Sequence, residues 1–352
     1  MRRWPVLDLI IAGAGPAGLA TALYAAQAGM QVVVVDPRAA PADTQGDEPI
    51  DKACGEGLMP GAVRSLDALG VELPGAAIRG IRYLDGSRHV DATFRDGLGR
   101  GVRRTALHTA LRERAISLGV HIHQGSVSQI RQDDNAVHAA GLTARYLVAA
   151  DGLHSPVRRA LNLDVAGRPR HPRWGLRQHY AMTPWTDLVE VHWSPTAEAY
   201  VTPVAGDLIG VAVLSGKRAG FAEHLAAFPE LSARLPSTAA TTVRGAGPLR
   251  QRSRRRVDGR VLLVGDAAGY VDALTGEGIA VALNSAHALI QCLLADRPRA
   301  YERQWASATR TYRTLTTGLL WAGRRRALRP AIVPLACAAP PLFRAAVHQL
   351  AR

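Results

Sequence analysis

Two short apolar runs, Leu7 to Ala12 and Val32 to Val35, flank a glycine-rich break and a segment of helical periodicity reaching Ala28 and Gly29. Unbroken apolar runs of that length around a helix predict buried parallel strands joined by a crossover helix. Residues Gly80 to Phe94 alternate instead, interrupted at Asp85-Gly86, which predicts an antiparallel hairpin. Arg104 to Leu118 reads as an amphipathic helix, and short strands follow near Val120–His123, Val127–Arg131, Ala136–Ala139 and Tyr146–Ala149. The alternating segments Gly175–Met182, Leu188–Trp193, Ala199–Pro203 and Leu208–Leu214 predict a larger antiparallel sheet. Val261 to Val264 is another buried strand, a helix runs on from Gly278 to Leu294, and helices dominate from Tyr301 onward.

The break after the first strand is Gly13-Ala14-Gly15-Pro16-Ala17-Gly18, and the second strand ends in Asp36. Strand, glycine turn, helix, strand, acid is the order a dinucleotide demands. Gly13 makes the tight turn, Gly15 lets backbone approach a pyrophosphate, and Gly18 lets helix and strand pack closely. The helix N-terminus offers unpaired N–H groups to phosphate. Asp36 is placed to accept ribose hydroxyls, with Pro37 and Arg38 completing that corner; a carboxylate there disfavours a 2′-phosphate, so FAD or NAD fits better than NADP.

At 352 residues, 47% hydrophobic and 20% charged, the chain suits two joined domains around one ligand. The N-terminal Met1-Arg2-Arg3 imitates a signal peptide, but its apolar run leads directly into the glycine motif. No apolar stretch is long enough to span a membrane, and Cys54, Cys292 and Cys337 are odd in number and far apart, so a soluble, cytoplasmic protein without disulfides or a metal site is expected. The net charge of +14 raises nucleic acid as a partner. All but Lys52 and Lys217 of the positive charge is Arg, in an Ala- and Gly-rich chain without a nucleic-acid motif, so no such partner is expected.

Four separated segments resemble one flavoprotein superfamily, that of p-hydroxybenzoate hydroxylase, flavin-dependent halogenases and geranylgeranyl reductases. They are Gly13–Gly18, Cys54-Gly55, Ala150-Asp151-Gly152 with Ser155 and Val157-Arg158, and Gly265-Asp266-Ala267-Ala268, together covering roughly residues 5–300. The resemblance implies an α/β fold: a Rossmann-type, glutathione reductase-like FAD-binding domain interleaved with an antiparallel-sheet substrate domain and followed by a helical C-terminus. The divisions expected are 1–75, 103–170 and 246–300 for FAD binding, 76–102 and 171–245 for the substrate domain, and 301–352 for the C-terminal helices. It further implies that Asp266 reaches a ribityl hydroxyl and that Gly276, Gly278 and Ile279 begin a helix aimed at the ring. By the same resemblance Asp151 lies near the pyrophosphate, Arg104 contacts FAD, and Cys54-Gly55 lies beside the ring. With one glycine motif present, NADPH or NADH must dock on the surface of the same fold, with Arg158 or Arg159 as candidates.

The segment Gly265–Ile279 is closer to the reductases than to aromatic hydroxylases, and no GWxWxIP halogenase segment exists. Cys54–Pro60 with Tyr200-Val201-Thr202-Pro203 resembles monooxygenases of phenolic or polyketide secondary metabolites. The expectation is therefore an NAD(P)H-driven monooxygenase that uses O₂ through a flavin C4a-hydroperoxide; the alternative is a geranylgeranyl-reductase-type enzyme saturating isoprenoid double bonds. Candidate catalytic residues are Cys54, Arg177 and His179 on one face of a strand, and His192 on the next. The substrate is expected to be small and lipophilic or aromatic. The C-terminal segment, with Trp321 and the basic run Arg324–Arg329, is read as a packed lid or surface helix, and is also a candidate for peripheral membrane contact.

Overall fold

The structure, a computed structural model, describes residues 7–39, 49–165, 167 and 171–352. The basic N-terminus and most of the acidic stretch between Pro37 and Asp51 lie outside the described residues.

Five strands form a parallel core in the order Val261–Leu263, Leu142–Ala149, Leu7–Ala12, Val32–Asp36, His121–Gln124. Leu9, Ile10 and Ile11 are fully buried, as expected for the central strand of a parallel sheet covered on both faces. The Pro16–Gln27 helix packs against Arg104–Ser117 and Gly278–Leu294. Strand ends therefore converge on the glycine turn, where an open α/β sheet binds its ligand. The short strands Ile130–Gln132 and Val137–Ala139 hang from Leu142–Ala149 as an antiparallel extension.

The second sheet runs Arg244–Ala246, Trp174–Ala181, Leu208–Ser215, Ala197–Ala205, Leu188–Trp193, Gly80–Asp85, Arg88–Thr93. All its pairs are antiparallel except Leu188–Trp193 with Gly80–Asp85. The strand carrying His192, next along the chain after that carrying Arg177 and His179, is separated from it in the sheet by two others, because Leu208–Ser215 and Ala197–Ala205 insert between them. A three-stranded ribbon of Gly57–Leu58, Gly99–Gly101 and Ala76–Ile78 joins the two sheets.

The C-terminal helices Ile332–Ala338 and Pro340–Leu350 lie on the edge strand Arg88–Thr93. Their anchor is Arg329, which pairs with buried Glu198 at 2.7 Å, donates to Ser194 O and Ala197 O, and lies over the Trp193 ring. The last helix is tied to the start of the Pro60–Ala68 helix through Gly61 N donating to Ala351 O at 2.9 Å. This segment is thus packed onto the sheet. No single helix among the described residues is long and apolar enough to cross a membrane, although Arg329–Ala338 and Pro340–Leu350, bent by 103°, pass together on length and composition.

Candidate active site

A cavity of about 530 Å³ runs from the glycine turn to the inner face of the second sheet. Its first half is polar cradle. Gly13 sits at φ +105°, and a Cβ on Gly18 would stand 1.9 Å from Gly13 O, so the turn and helix close together only without side chains. A Cβ on Gly15 would meet nothing within 4 Å, which leaves that backbone facing the cavity. The Pro16–Gln27 helix has no side-chain cap and no acid in its first turn, so its N–H groups remain available to phosphate. Asp36 accepts from Ala14 N and Arg38 N, both at 2.8 Å. Burial alone would raise its pKa, but those N–H groups and the Arg38 guanidinium outweigh it and hold the carboxylate low.

Several buried polar atoms in this half lack partners, and these are what a dinucleotide would satisfy. Arg104 Nη1 and Asp151 Oδ1 are buried and unpaired, and both residues line the cavity with Lys52 and Asp266. Burial pulls the Arg104 and Lys52 cations down, and burial pushes Asp151 and Asp266 up against the pull of nearby cations. Asp266 lies in the tight turn Gly265–Ala267, just beyond a buried strand. The Gly278–Leu294 helix presents Gly278, Ile279 and Ala282 to the cavity, so its positive end favours negative charge there. Its N-cap residue, Glu277, has Oε1 unpaired, and burial pushes that carboxyl up to about 8.

Where the halves meet, Glu56 adopts φ +59°, a left-handed conformation unusual for a side-chain-bearing residue. Its buried carboxylate accepts from Arg104 N at 2.7 Å and contacts His179 Nε2 at 2.6 Å. His179 Nδ1 lies 3.0 Å from Thr241 Oγ1 and 3.1 Å from Arg177 Nη1, while Arg177 pairs with Asp51. The Cys54-Gly55 loop is thereby tied to the second sheet; Thr202 Oγ1 adds a hydrogen bond to Gly55 O at 2.8 Å. Cys54 lines the cavity, receives Glu56 N at 3.4 Å on its sulfur, and is held above the ordinary thiol value by burial.

Beyond this junction the cavity becomes an apolar chamber. Ile81, Val189, Val191, Leu214 and Leu249 form its walls, Tyr83, Phe94, Tyr200 and Tyr270 add rings, and Val347 and Leu350 of the last helix close it. The Tyr200 hydroxyl is turned away from water, donating to Leu274 O at 2.7 Å.

Of the residues singled out from sequence, Gly13, Gly15, Pro16, Ala17, Asp36, Pro37, Arg38, Cys54, Gly55, Arg104, Asp151, Arg177, Gly265, Asp266, Gly276, Gly278 and Ile279 all line one cavity. Gly18 sits behind it as a packing contact. His179 is fully buried behind the wall. His192 is not brought in: Val189 and Val191 face the chamber, so strand alternation sends His192 to the opposite face, beside Glu190 at 3.2 Å. Arg158 is also no docking group. It is buried, bonding Asp164, Ala267 O and Leu153 O, and so fastens the Gly-Asp turn; Arg159 is on the surface and bonds His154 O. Sequence reading passed over Lys52, Asp51, Glu56, Glu277 and Val347. Glu56 and Glu277 carried a signal, each as an acid between two glycines in an otherwise apolar segment.

A family described as "FAD binding domain" matches residues 6–309. Menaquinone reductase of Mycobacterium tuberculosis is 30% identical over 322 residues, covering 77% of this chain and 72% of that protein. Digeranylgeranylglycerophospholipid reductase 1 of Methanothermobacter thermautotrophicus is 27% identical, covering 78% and 73%. Among solved structures, the anhydrotetracycline hydroxylase OxyS of Streptomyces rimosus superposes with a TM-score of 0.70 at 22% identity, covering 99% of this chain and 76% of that one; at this identity the likeness speaks to the fold. The cradle's unpaired groups and the family match agree on the cofactor, and the chain belongs to the FAD-binding-domain family of FAD-dependent oxidoreductases.

Proposed function

We propose that this chain reduces carbon–carbon double bonds of a lipophilic, isoprenoid-like substrate held in the apolar chamber. The observation that carries this choice is the charge state of the chamber. Among the described residues Arg177 is the one cation of the second sheet lining it, and Arg177 is already committed to Asp51 and close to Glu56. A phenolate would find no free positive charge there, whereas a hydrocarbon needs none. The two curated relatives are named as reductases of menaquinone and of a digeranylgeranylglycerophospholipid, both lipophilic molecules.

FAD, when bound and reduced, supplies hydride. The chain supplies the rest. Gly15 and the Pro16–Gln27 helix would hold its phosphates, Asp36 its ribose, and Asp266 and Arg104, which line the same cavity, the stretch toward the ring. The chamber walls exclude water and orient the chain of the substrate. Cys54 Sγ–H stands at the junction, kept as a thiol by burial, and gives the proton that the second carbon requires. Electrons come from NADPH or NADH at the protein surface.

Hydroxylation of a lipophilic phenol is the second reading, favoured by the four aromatic rings that line the chamber. One experiment separates the two. FAD-loaded protein is reduced without oxygen and given a polyprenyl quinone; a parallel sample is reduced by NADPH in air with an alkyl-substituted phenol. Mass spectra showing two hydrogens retained in the isoprenoid chain after the head group is reoxidised to the quinone support the reductase, and one oxygen gained in the second sample alone overturns it.

A further inference from the structure

We infer that a basic cleft outside the FAD cavity, lined by His171, Arg250, Arg324 and Arg325 with Trp321, binds the phosphate group of an anionic ligand. Four cationic or titratable side chains from three separate stretches meet here, and among the described residues no carboxylate lines the cleft. The end of the Arg310–Arg324 helix accounts for Arg324 and Arg325, since cations favour a helix C-terminus. It does not account for Arg250 and His171, which arrive from elsewhere in the chain. Burial, then the like charges of Arg250 and Arg173, hold Arg324 below its ordinary value, so the cluster stands in mutual repulsion. The acid within reach, Asp272, is already paired with Arg173 at 3.0 Å. Guanidinium groups of this kind match phosphate oxygens in pairs.

The cleft stands directly behind the substrate chamber. Leu249 lines the chamber and the next residue, Arg250, lines the cleft, while Leu320 of the cleft belongs to the same apolar cluster as Leu249 and Leu214. A phosphate held there has two sources: the headgroup of an amphiphile whose apolar body occupies the chamber, or the 2′-phosphate of an NADPH donor. The first source rests on the lipophilic-substrate reading; phosphate binding itself does not.

Trp321 is 54% exposed and sits in the cleft, so its fluorescence reports occupancy. FAD-loaded full-length protein is titrated with inorganic pyrophosphate. Wild type shows saturable, salt-sensitive quenching, and the double variant Arg250→Gln/Arg324→Gln weakens it at least about tenfold, as expected for loss of charge-assisted hydrogen bonds. Arg326→Gln, outside the cleft, leaves it unchanged. Flavin absorbance confirms that each variant is folded and loaded. Equal binding by wild type and the double variant, or none by wild type, overturns the site. The source follows from two further comparisons: a lost preference for NADPH over NADH in flavin reduction assigns the donor, and a lost preference for a polyprenyl diphosphate over the free alcohol in turnover assigns the substrate.

Discussion

The two ends of the cavity are built by opposite means. The cofactor end is polar, made by backbone and by residues clustered in short stretches, Gly13–Gly18, Asp36–Arg38 and Gly265–Gly278. The chamber end is apolar, made by single side chains from strands and a helix nearly the whole chain apart, from Ile78 to Leu350. The first end is fixed by local geometry, where one added atom is intolerable. The second is fixed by packing and by a buried ionic junction, where changes are graded.

That contrast is broken most severely at Gly18. Gly18→Val sets a side chain into Gly13 O, which a Cβ alone would approach to 1.9 Å. Backbone cannot yield there without opening the turn that faces the phosphates. The purified variant is expected to be colourless, with FAD binding lost by at least about a hundredfold in equilibrium titration. Retained flavin at wild-type occupancy would show that the cradle tolerates what its geometry forbids.

At the junction the expected effect falls on stability and leaves the cofactor cradle in place. Glu56→Ala leaves His179 buried without its carboxylate and frees Arg104 N, while Arg177 loses only the more distant of its two acids and keeps Asp51. Breaking a buried pair from one side costs about 3–5 kcal/mol. Denaturant unfolding of the FAD-loaded variant measures it, and a loss under about 1 kcal/mol, the level of an exposed pair, would mean that the junction is not a structural tie.

The same contrast explains what could be seen in the sequence. Gly13–Gly18 and Asp36 were legible because the chemistry resides in spacing along the chain, and Gly265-Asp266 was legible through its resemblance to a flavoprotein motif. The second sheet's strands were legible from alternation, but their order was not, since pairing depends on which edges meet after folding. His192 illustrates the limit. Its strand shows Val189, Val191 and Trp193 as one face and Glu190 and His192 as the other, yet which face meets the chamber is decided by neighbouring strands. Arg158, read as a surface group beside a family motif, is instead a buried brace, because Ala267 O and Asp164 come to it only through the tertiary fold. Val347 and Leu350 close the chamber from the far end of the chain, a contact that no local pattern encodes.

Glu277 tests the cofactor end by pH. Its folded carboxyl titrates near 8 because burial disfavours the charge, against an ordinary value of 4.5. Between those values the unfolded chain has released a proton that the folded chain keeps, so stability is full below 4.5 and falls as pH rises toward 8. Glu277→Gln has no proton to release. It is expected to gain on wild type as pH rises through that window, by on the order of 1–3 kcal/mol in the absence of FAD, and to level off above it. Parallel stability curves for the two proteins from acid to alkali would place the carboxyl in water instead.

The mildest change probes whether the two ends are separable. Tyr200 stands in the chamber wall, but its hydroxyl donates to Leu274 O, in the segment that leads from Asp266 to the Gly278–Leu294 helix. Tyr200→Phe keeps the ring and its apolar contacts and leaves one buried carbonyl without a donor, a loss of about 1 kcal/mol. If the chamber is an independent packing unit, substrate KM rises a few-fold while the FAD dissociation constant stays within error. If FAD affinity falls in step with KM, the hydroxyl is holding the ring-facing segment in place. The chamber would then shape the cofactor site as well as the substrate's, and the division between a spacing-coded end and a packing-coded end would give way at Leu274.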